Sequence, residues 1–127
     1  MGFGKEEKKK EFKLRIYRYI LRLIKFLSKL PNTPEIIEIK RQLIKSGTSV
    51  GANYFEAEAA SSKKDYQNFF HYSLKSSNES KFWLALLRDS ELASNDLIEE
   101  ISYLLQETKE IANIFASSLI TMKSKTK

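Results

Sequence analysis

The chain has 127 residues, of which 42% are hydrophobic and 30% are charged, with four Gly, two Pro and no Cys. This composition is typical of one globular domain spanning residues 1–127 and excludes a disordered or collagen-like chain. The net charge of +6 favours an acidic partner such as nucleic acid.

The first predicted element is an amphipathic helix over about residues 5–30. Its apolar residues recur every three or four positions, which is typical of a helix with one buried face. The predicted inward edge consists of Phe12, Ile16, Tyr19, Leu23, Phe26 and Leu30. We expect the helix to end before Pro31, because proline disfavours helical geometry in the residue before it.

A second helix is predicted over about residues 34–60. Thr33 is the expected N-cap, and Pro34 then occupies the first helical position, where its missing N–H costs nothing. The inward edge consists of Ile36, Ile39, Leu43, Val50, Tyr54 and Ala57. Gly47 and Gly51 interrupt the helix, and their spacing predicts a close approach between two backbones.

Two more helices complete the predicted fold. The third covers about residues 63–92, with Ser61 or Ser62 as its cap, and the fourth covers about residues 96–122, after the Asn95–Asp96 pair. Residues 123–127 are expected to form a frayed basic tail. Because the connections are short, neighbouring helices must run antiparallel, and the sequence predicts an all-α, up-down-up-down four-helix bundle.

A row of cations follows one edge of the first helix. We call this row the basic stripe; it consists of Arg15, Arg18, Arg22, Lys25 and Lys29. The spacing of three or four residues places all five on one solvent-facing edge, where they could bind phosphates without reading sequence. Lys40 and Arg41 extend the candidate RNA- or DNA-binding surface. The stripe is equally compatible with a solvated face, or with a contact to the acidic fourth helix of another subunit.

The second helix also carries a row of polar residues, which we call the polar seam. Its members are Gln42, Ser46, Ser49, Asn53 and Glu56. The third helix offers matching polar residues, namely Ser73, Ser76, Ser77, Ser80 and Glu79. We interpret these small polar residues as a subunit contact or the lining of a channel, with an ordinary wet surface as the alternative.

Signs of catalysis are weak. His71 is the only histidine, which excludes a site that needs two, and no nucleophile elbow or glycine-rich phosphate loop is present. Because the chain has no cysteine, it has no thiolate that could act as a nucleophile or as a metal ligand. We therefore expect no enzyme, no cofactor, no metal and no small-molecule substrate. An enzyme would require titratable groups converging around His71, Glu56 or Glu79.

The sequence offers no sign of membrane insertion or export. The longest run without charge, residues 111–122, contains Asn, Ser and Thr and falls short of the roughly 18 apolar residues of a membrane span. The lysine-rich N-terminus leads into an amphipathic segment rather than the apolar core of a secretory signal. We expect a cytoplasmic protein without a membrane partner.

Several segments resemble a bacterial family, the four-helix-bundle proteins named after intervening sequences in 23S ribosomal RNA genes. The first two segments are Gln42-Leu43-Ile44-Lys45-Ser46 and Ser49-Val50-Gly51-Ala52-Asn53, followed by Glu56-Ala57. Then come Ala60-Ser61-Ser62, Asp65-Tyr66 and Glu79-Ser80-Lys81-Phe82-Trp83-Leu84-Ala85-Leu86-Leu87. The resemblance covers most of residues 12–120.

This resemblance implies a cytoplasmic bacterial protein without enzymatic activity, whose subunits form a ring-shaped homo-oligomer, most often a pentamer. It also implies structural roles for Gln42, Ser46, Asn53, Glu56 and Glu79, in helix contacts or along the ring. Related accessory proteins of diversity-generating retroelements are basic barrels that bind nucleic acid and a reverse transcriptase. Here the cations concentrate on the first helix and the fourth is acidic, which argues against a reverse-transcriptase partner. The two functional hypotheses are nucleic-acid binding and a protein-interaction scaffold.

Overall fold

A computed structural model describes residues 2–125, with side chains from residue 4 onward. The described chain forms four helices and no strand: α1 (Gly2–Leu27), α2 (Pro34–Glu58), α3 (Lys63–Asp89) and α4 (Asn95–Lys125). α1 packs against α2 and α4, and α3 packs against the same two helices from the other side. α1 and α3 therefore lie diagonally across the bundle. None of these helices has an apolar stretch of the length needed to cross a bilayer.

The core is formed by the inward edges that the periodicity predicts. Ile16, Leu23, Ile36 and Leu43 are completely buried, and the other predicted edge residues of α1 and α2 are buried or half-buried. Towards the end where α1 begins, four aromatic rings pack edge to face with centroids 5.1–5.9 Å apart. These rings belong to Phe12, Tyr54, Phe70 and Phe115. Each helix contributes one ring, so this cluster ties all four together.

The predicted caps are present at two helix starts. Thr33 Oγ1 accepts a hydrogen bond from the backbone N–H of Ile36 at 3.4 Å, and Pro34 is the first residue of α2. At the start of α3, Ser62 Oγ accepts from the N–H of Asp65 at 3.1 Å. Each side chain satisfies a backbone donor that has no partner within its helix.

The helix ends differ from the predicted ends by up to three residues. α1 stops at Leu27 rather than at residue 30, because the N–H groups of Lys29 and Leu30 bond three residues back in a tightened turn before Pro31. α2 and α3 also end early, at residues 58 and 89. α4 continues to residue 125, so the predicted frayed tail is helical at residues 123–125, and residues 126–127 lie outside the described part.

The two glycines of α2 make room for side chains rather than for a second backbone. A Cβ atom on Gly47 would overlap Cδ2 of Leu23, and one on Gly51 would lie 2.5 Å from Cδ1 of Ile20 and 3.3 Å from Cγ2 of Ile16. The predicted backbone-to-backbone approach is therefore wrong in its details. At each glycine the missing side chain leaves a recess in the surface of α2. Leu23 of α1 fills the recess at Gly47, and Ile20 and Ile16 fill the recess at Gly51.

A polar pair joins α1 to α4 inside the core. The hydroxyl groups of Tyr19 and Thr108 are 2.6 Å apart, and both residues are buried. Because Thr108 Oγ1 donates its one hydrogen to the carbonyl oxygen of Leu104, the Tyr19 hydroxyl must donate to Thr108. Burial raises the pKa of Tyr19 to about 12, so the phenol remains a donor throughout the physiological range.

Candidate functional site

The structure places Arg15, the first residue of the basic stripe, against α4 of the same chain. Its guanidinium donates to Glu107 at 2.8 and 2.7 Å and to Glu110 at 2.8 Å. The hydrogen bond to Glu107 is the main cause that raises the pKa of Arg15, and the same guanidinium holds the pKa of Glu110 below its usual value. The sequence predicts that Arg15 is a free cation on a solvent-facing edge. In the structure it is instead part of the contact between α1 and α4.

Arg22 is held in a similar way two turns further along α1. It donates to both carboxylate oxygens of Glu100 at 2.7 and 2.8 Å. Its guanidinium carbon also lies 3.5 Å from the centre of the Tyr103 ring, which favours a cation through its negative face. The hydrogen bonds from Arg22 lower the pKa of Glu100. A contact with the acidic fourth helix of another subunit was one alternative for the basic stripe, but Arg15 and Arg22 meet the fourth helix of their own chain.

The remaining predicted cations fall into two groups. Lys40 donates to the carbonyl oxygen of Leu30 and to Asn32, both at 3.0 Å, and so closes the end of α1, while Arg41 pairs with Glu38 on its own helix. The other group consists of Arg18, Lys25 and Lys29. These three are exposed, and within the described residues none forms a hydrogen bond or ion pair with a carboxylate.

The polar seam divides into a buried part and a surface part. Ser46 is buried inside the chain, where its hydroxyl lies 2.8 Å from that of Ser80 on α3. Ser73 donates to the carbonyl oxygen of Val50 at 2.9 Å, so small hydroxyl residues hold α2 and α3 close together. The other members lie nearer the surface: Gln42 donates to Glu38, Ser49 to the carbonyl oxygen of Lys45 and Asn53 to that of Ser49, while Glu56 is exposed. Glu79, on α3, is also exposed.

The structure reveals an apolar surface that the sequence analysis did not single out. Four large residues lie on the face of α1 that points away from the core, and their exposed fractions are 45–53%. We call them the outer stripe: Leu14, Tyr17, Leu21 and Ile24. Their spacing of three, four and three residues is the same as that of the inward edge, so α1 is apolar on two opposite faces. This second periodicity is the feature of the sequence from which the outer stripe could have been predicted.

A second apolar patch lies on α3. Phe82 is 59% exposed and Leu86 is 41% exposed, and the rings of Phe82 and Trp83 pack edge to face at 5.0 Å. We call Phe82, Trp83 and Leu86 the α3 patch. Because α1 and α3 are diagonal in the bundle, the outer stripe and the α3 patch lie on opposite sides of the molecule.

His71 and Glu79 line an open cleft of about 590 Å³ beside the α3 patch, together with Lys75, whereas Glu56 lies elsewhere on α2. Only two of the three titratable residues considered for catalysis therefore share a cleft. In the described part of the chain, no group of three or more acidic, His or Cys side chains is placed to hold a metal ion.

Comparison with known proteins decides the family. Residues 7–114 match the family model of the 23S rRNA-intervening sequence protein. The chain belongs to this family. This member of the intervening-sequence family is similar to a solved structure, that of a protein of unknown function from the S23 ribosomal protein family of Bacteroides thetaiotaomicron VPI-5482. That structure is 30% identical in sequence, with a TM-score of 0.74, and the match covers 85% of this chain and 97% of the other. No curated protein matches the chain.

Proposed function

We propose that this chain is a non-enzymatic, cytoplasmic subunit of a ring-shaped homo-oligomer, and that the outer stripe of α1 is one side of the contact between subunits. The observation that carries the proposal is the row of four large apolar side chains on the outward face of a helix whose other face already fills the core. Exposed apolar surface of this continuity is typical of an interaction site.

Burial of the outer stripe would contribute several kcal/mol to assembly. Complete burial of one large apolar side chain contributes about 1.5–3 kcal/mol. Because the four side chains of the outer stripe are already about half buried, covering them would contribute about 3–6 kcal/mol from this side of the contact. The opposite side of the contact would add its own share, against the entropy lost on association.

The two apolar patches are unlike, which supports a head-to-tail contact between copies. A contact that joins one patch of a copy to a different patch of the next copy forms a closed ring where the rotation between copies closes and an open filament where it does not, whereas a twofold dimer uses the same patch twice. The outer stripe and the α3 patch are different surfaces on opposite sides of the molecule. Each copy therefore has two unlike faces to offer, and the pentamer implied by the family resemblance is one closed form of such a contact.

Light scattering coupled to size-exclusion chromatography tests this proposal. We expect an oligomer for the unmodified chain and monomers for both Leu21→Glu and Phe82→Glu. Ile120→Glu is the matched control, because Ile120 is 71% exposed on α4 but belongs to neither patch. Circular dichroism checks that all three variants remain helical.

Mixing the two patch variants gives the sharpest result. Each variant retains one intact face, so an equimolar mixture should form a 1:1 dimer and nothing larger. A monomeric unmodified chain would refute the assembly, and a Phe82→Glu variant that assembles normally would refute the role of the α3 patch.

We also propose sequence-independent RNA or DNA binding as a second function, supported by Arg18, Lys25 and Lys29 of the basic stripe, which are exposed and form no hydrogen bond or ion pair with a carboxylate among the described residues. Fluorescence anisotropy with labelled RNA and duplex DNA over a range of salt concentrations measures it. Each neutralised phosphate contributes about 0.9 to the slope of log affinity against log salt on duplex DNA. Arg18→Gln should therefore reduce that slope by about 1.

The control for Arg18→Gln is the double variant Arg22→Gln/Glu100→Gln, which removes a bound pair without changing the net charge. It should bind as the unmodified chain does. An affinity that does not change with salt would exclude phosphate contacts altogether.

A further inference from the structure

The contact between α1 and α4 changes its electrostatic character along its length. In the middle of this contact, the α1 cations Arg22 and Arg15 meet the α4 carboxylates Glu100 and Glu107. Because the helices are antiparallel, the beginning of α1 lies beside the end of α4. There Lys5 and Lys9 of α1 line a cleft together with Lys125 of α4. Opposite charges thus give way to like charges at this end of the contact.

This cleft, which we call the end cleft, has a volume of about 500 Å³, and the described residues that line it include no carboxylate. Besides the three lysines it is lined by hydroxyl and thioether residues, namely Tyr66, Ser117, Ser118, Thr121 and Met122. Four other clefts on the described part of the chain each include a carboxylate side chain. Lys9 also borders the cleft that contains Glu6 and Glu58, yet it forms an ion pair with neither of them.

The two lysines of α1 occupy positions that would normally be apolar. Residues 5, 9, 12, 16 and 19 are separated by four, three, four and three positions, so Lys5 and Lys9 continue the inward edge of Phe12, Ile16 and Tyr19. Both lysines are exposed and line the same cleft as Lys125 of α4.

We propose that the end cleft binds a phosphate group. Lys5, Lys9 and Lys125 line one cleft whose described lining offers no counter-charge, and an oxyanion with several negative charges would balance these cations while accepting hydrogen bonds from them. The hydroxyls of Ser117, Ser118 and Thr121 supply neutral donors for the remaining phosphate oxygens. The phosphate is either a free ion or a phosphate of a nucleic-acid strand. The site is separate from the outer stripe and does not depend on subunit assembly.

Nuclear magnetic resonance titration of the full chain tests the proposal. The probes are inorganic phosphate, a dinucleotide with a 5′-phosphate and the same dinucleotide without it, each compared with sodium chloride at equal ionic strength. We expect saturable shifts of the backbone amides of residues 117–125. Equal affinity for inorganic phosphate and the phosphorylated dinucleotide identifies a free-phosphate site, and preference for either dinucleotide identifies a strand phosphate.

Single substitutions on two helices complete the test. Lys9→Gln and Lys125→Gln should each weaken binding about fivefold to tenfold, since each removes one charged hydrogen bond. Lys10→Gln is the matched control, because it removes the same charge from the adjacent residue, which does not line the cleft. Absence of saturable shifts with every probe, or equal weakening by Lys10→Gln, would overturn the proposal. Failure of subunit assembly would leave this result unchanged.

Discussion

Tyr19 makes the stability of the bundle sensitive to alkaline pH. Its hydroxyl is buried beside Thr108, and burial raises the pKa of Tyr19 from 10.0 to about 12. Because the folded chain holds this proton more tightly than the unfolded chain does, the stabilisation is fully present below pH 10 and is lost as the pH rises towards 12. For this one group the loss in the free energy of unfolding between those limits is about 2 kcal/mol.

Urea unfolding followed by circular dichroism, repeated between about pH 9 and pH 12, measures this loss. Tyr19→Phe should cost about 1 kcal/mol at neutral pH, because the hydrogen bond to Thr108 disappears. The variant should then lose about 2 kcal/mol less than the unmodified chain on going to high pH. Burial also raises the pKa of Tyr54 to about 12, but that contribution is the same in both proteins.

The exposed Tyr72 provides the control for this comparison, because Tyr72→Phe removes a phenol without touching the core. The stability of this variant should follow that of the unmodified chain at every pH. The reasoning would be refuted if Tyr19→Phe and the unmodified chain lost the same free energy of unfolding between about pH 9 and pH 12. The phenol of Tyr19 would then not be the group that makes the bundle sensitive to alkaline pH.

Four further predictions concern the helix contacts. Gly47→Ala should destabilise the bundle by about 1 kcal/mol in urea unfolding, because a fully buried neighbour must move, which outweighs the gain in helix propensity. Gly51→Ala should cost less than Gly47→Ala, because its closest contact is the far end of the half-buried Ile20 side chain, while the buried Ile16 lies further away at 3.3 Å. Ser46→Ala should lower the melting temperature and cost about 1 kcal/mol, through the loss of one buried hydrogen bond. Arg22→Gln should cost less than about 1 kcal/mol at pH 7, because the pair is largely exposed. That difference should begin to shrink at the usual pKa of Glu100 and vanish only as the pH falls through the lower pKa that Arg22 gives this carboxyl in the folded chain, because the pair stabilises only while Glu100 is ionised.

The features that the sequence predicts correctly are those that depend on neighbouring residues. Thr33 and Pro34 act within one turn of helix, as does Ser62, and their roles follow from backbone groups that any helix start leaves without partners. The inward edges are predicted for a similar reason, since a helix can bury only one broad face against its own bundle. The helix ends are less well predicted, because a last turn can tighten without any change of residue type.

The partners of the basic stripe could not be predicted from periodicity. Arg15 and Glu107 are separated by 92 residues, and their contact depends on how α1 and α4 are rotated about their own axes. The sequence places both residues on helix edges but does not say which edges meet. The buried position of Ser46 has the same origin, because a serine in a polar row is assigned to the surface until the facing Ser80 is known.

The two faces of α1 show why fold and function separate in this sequence. The inward edge alone accounts for the bundle, so the outer stripe of Leu14, Tyr17, Leu21 and Ile24 has no role in folding one chain, and each of its residues costs solubility. Position in the helix repeat fixes the direction of a side chain but not what it meets. Lys5 and Lys9 continue the register of the core residues and line a cleft that they share with Lys125, while Leu21 lies on the opposite face of α1 and is about half exposed to solvent. Charged residues in the inward register and large apolar residues on the outward face are therefore the residues for which we expect a partner from outside the chain.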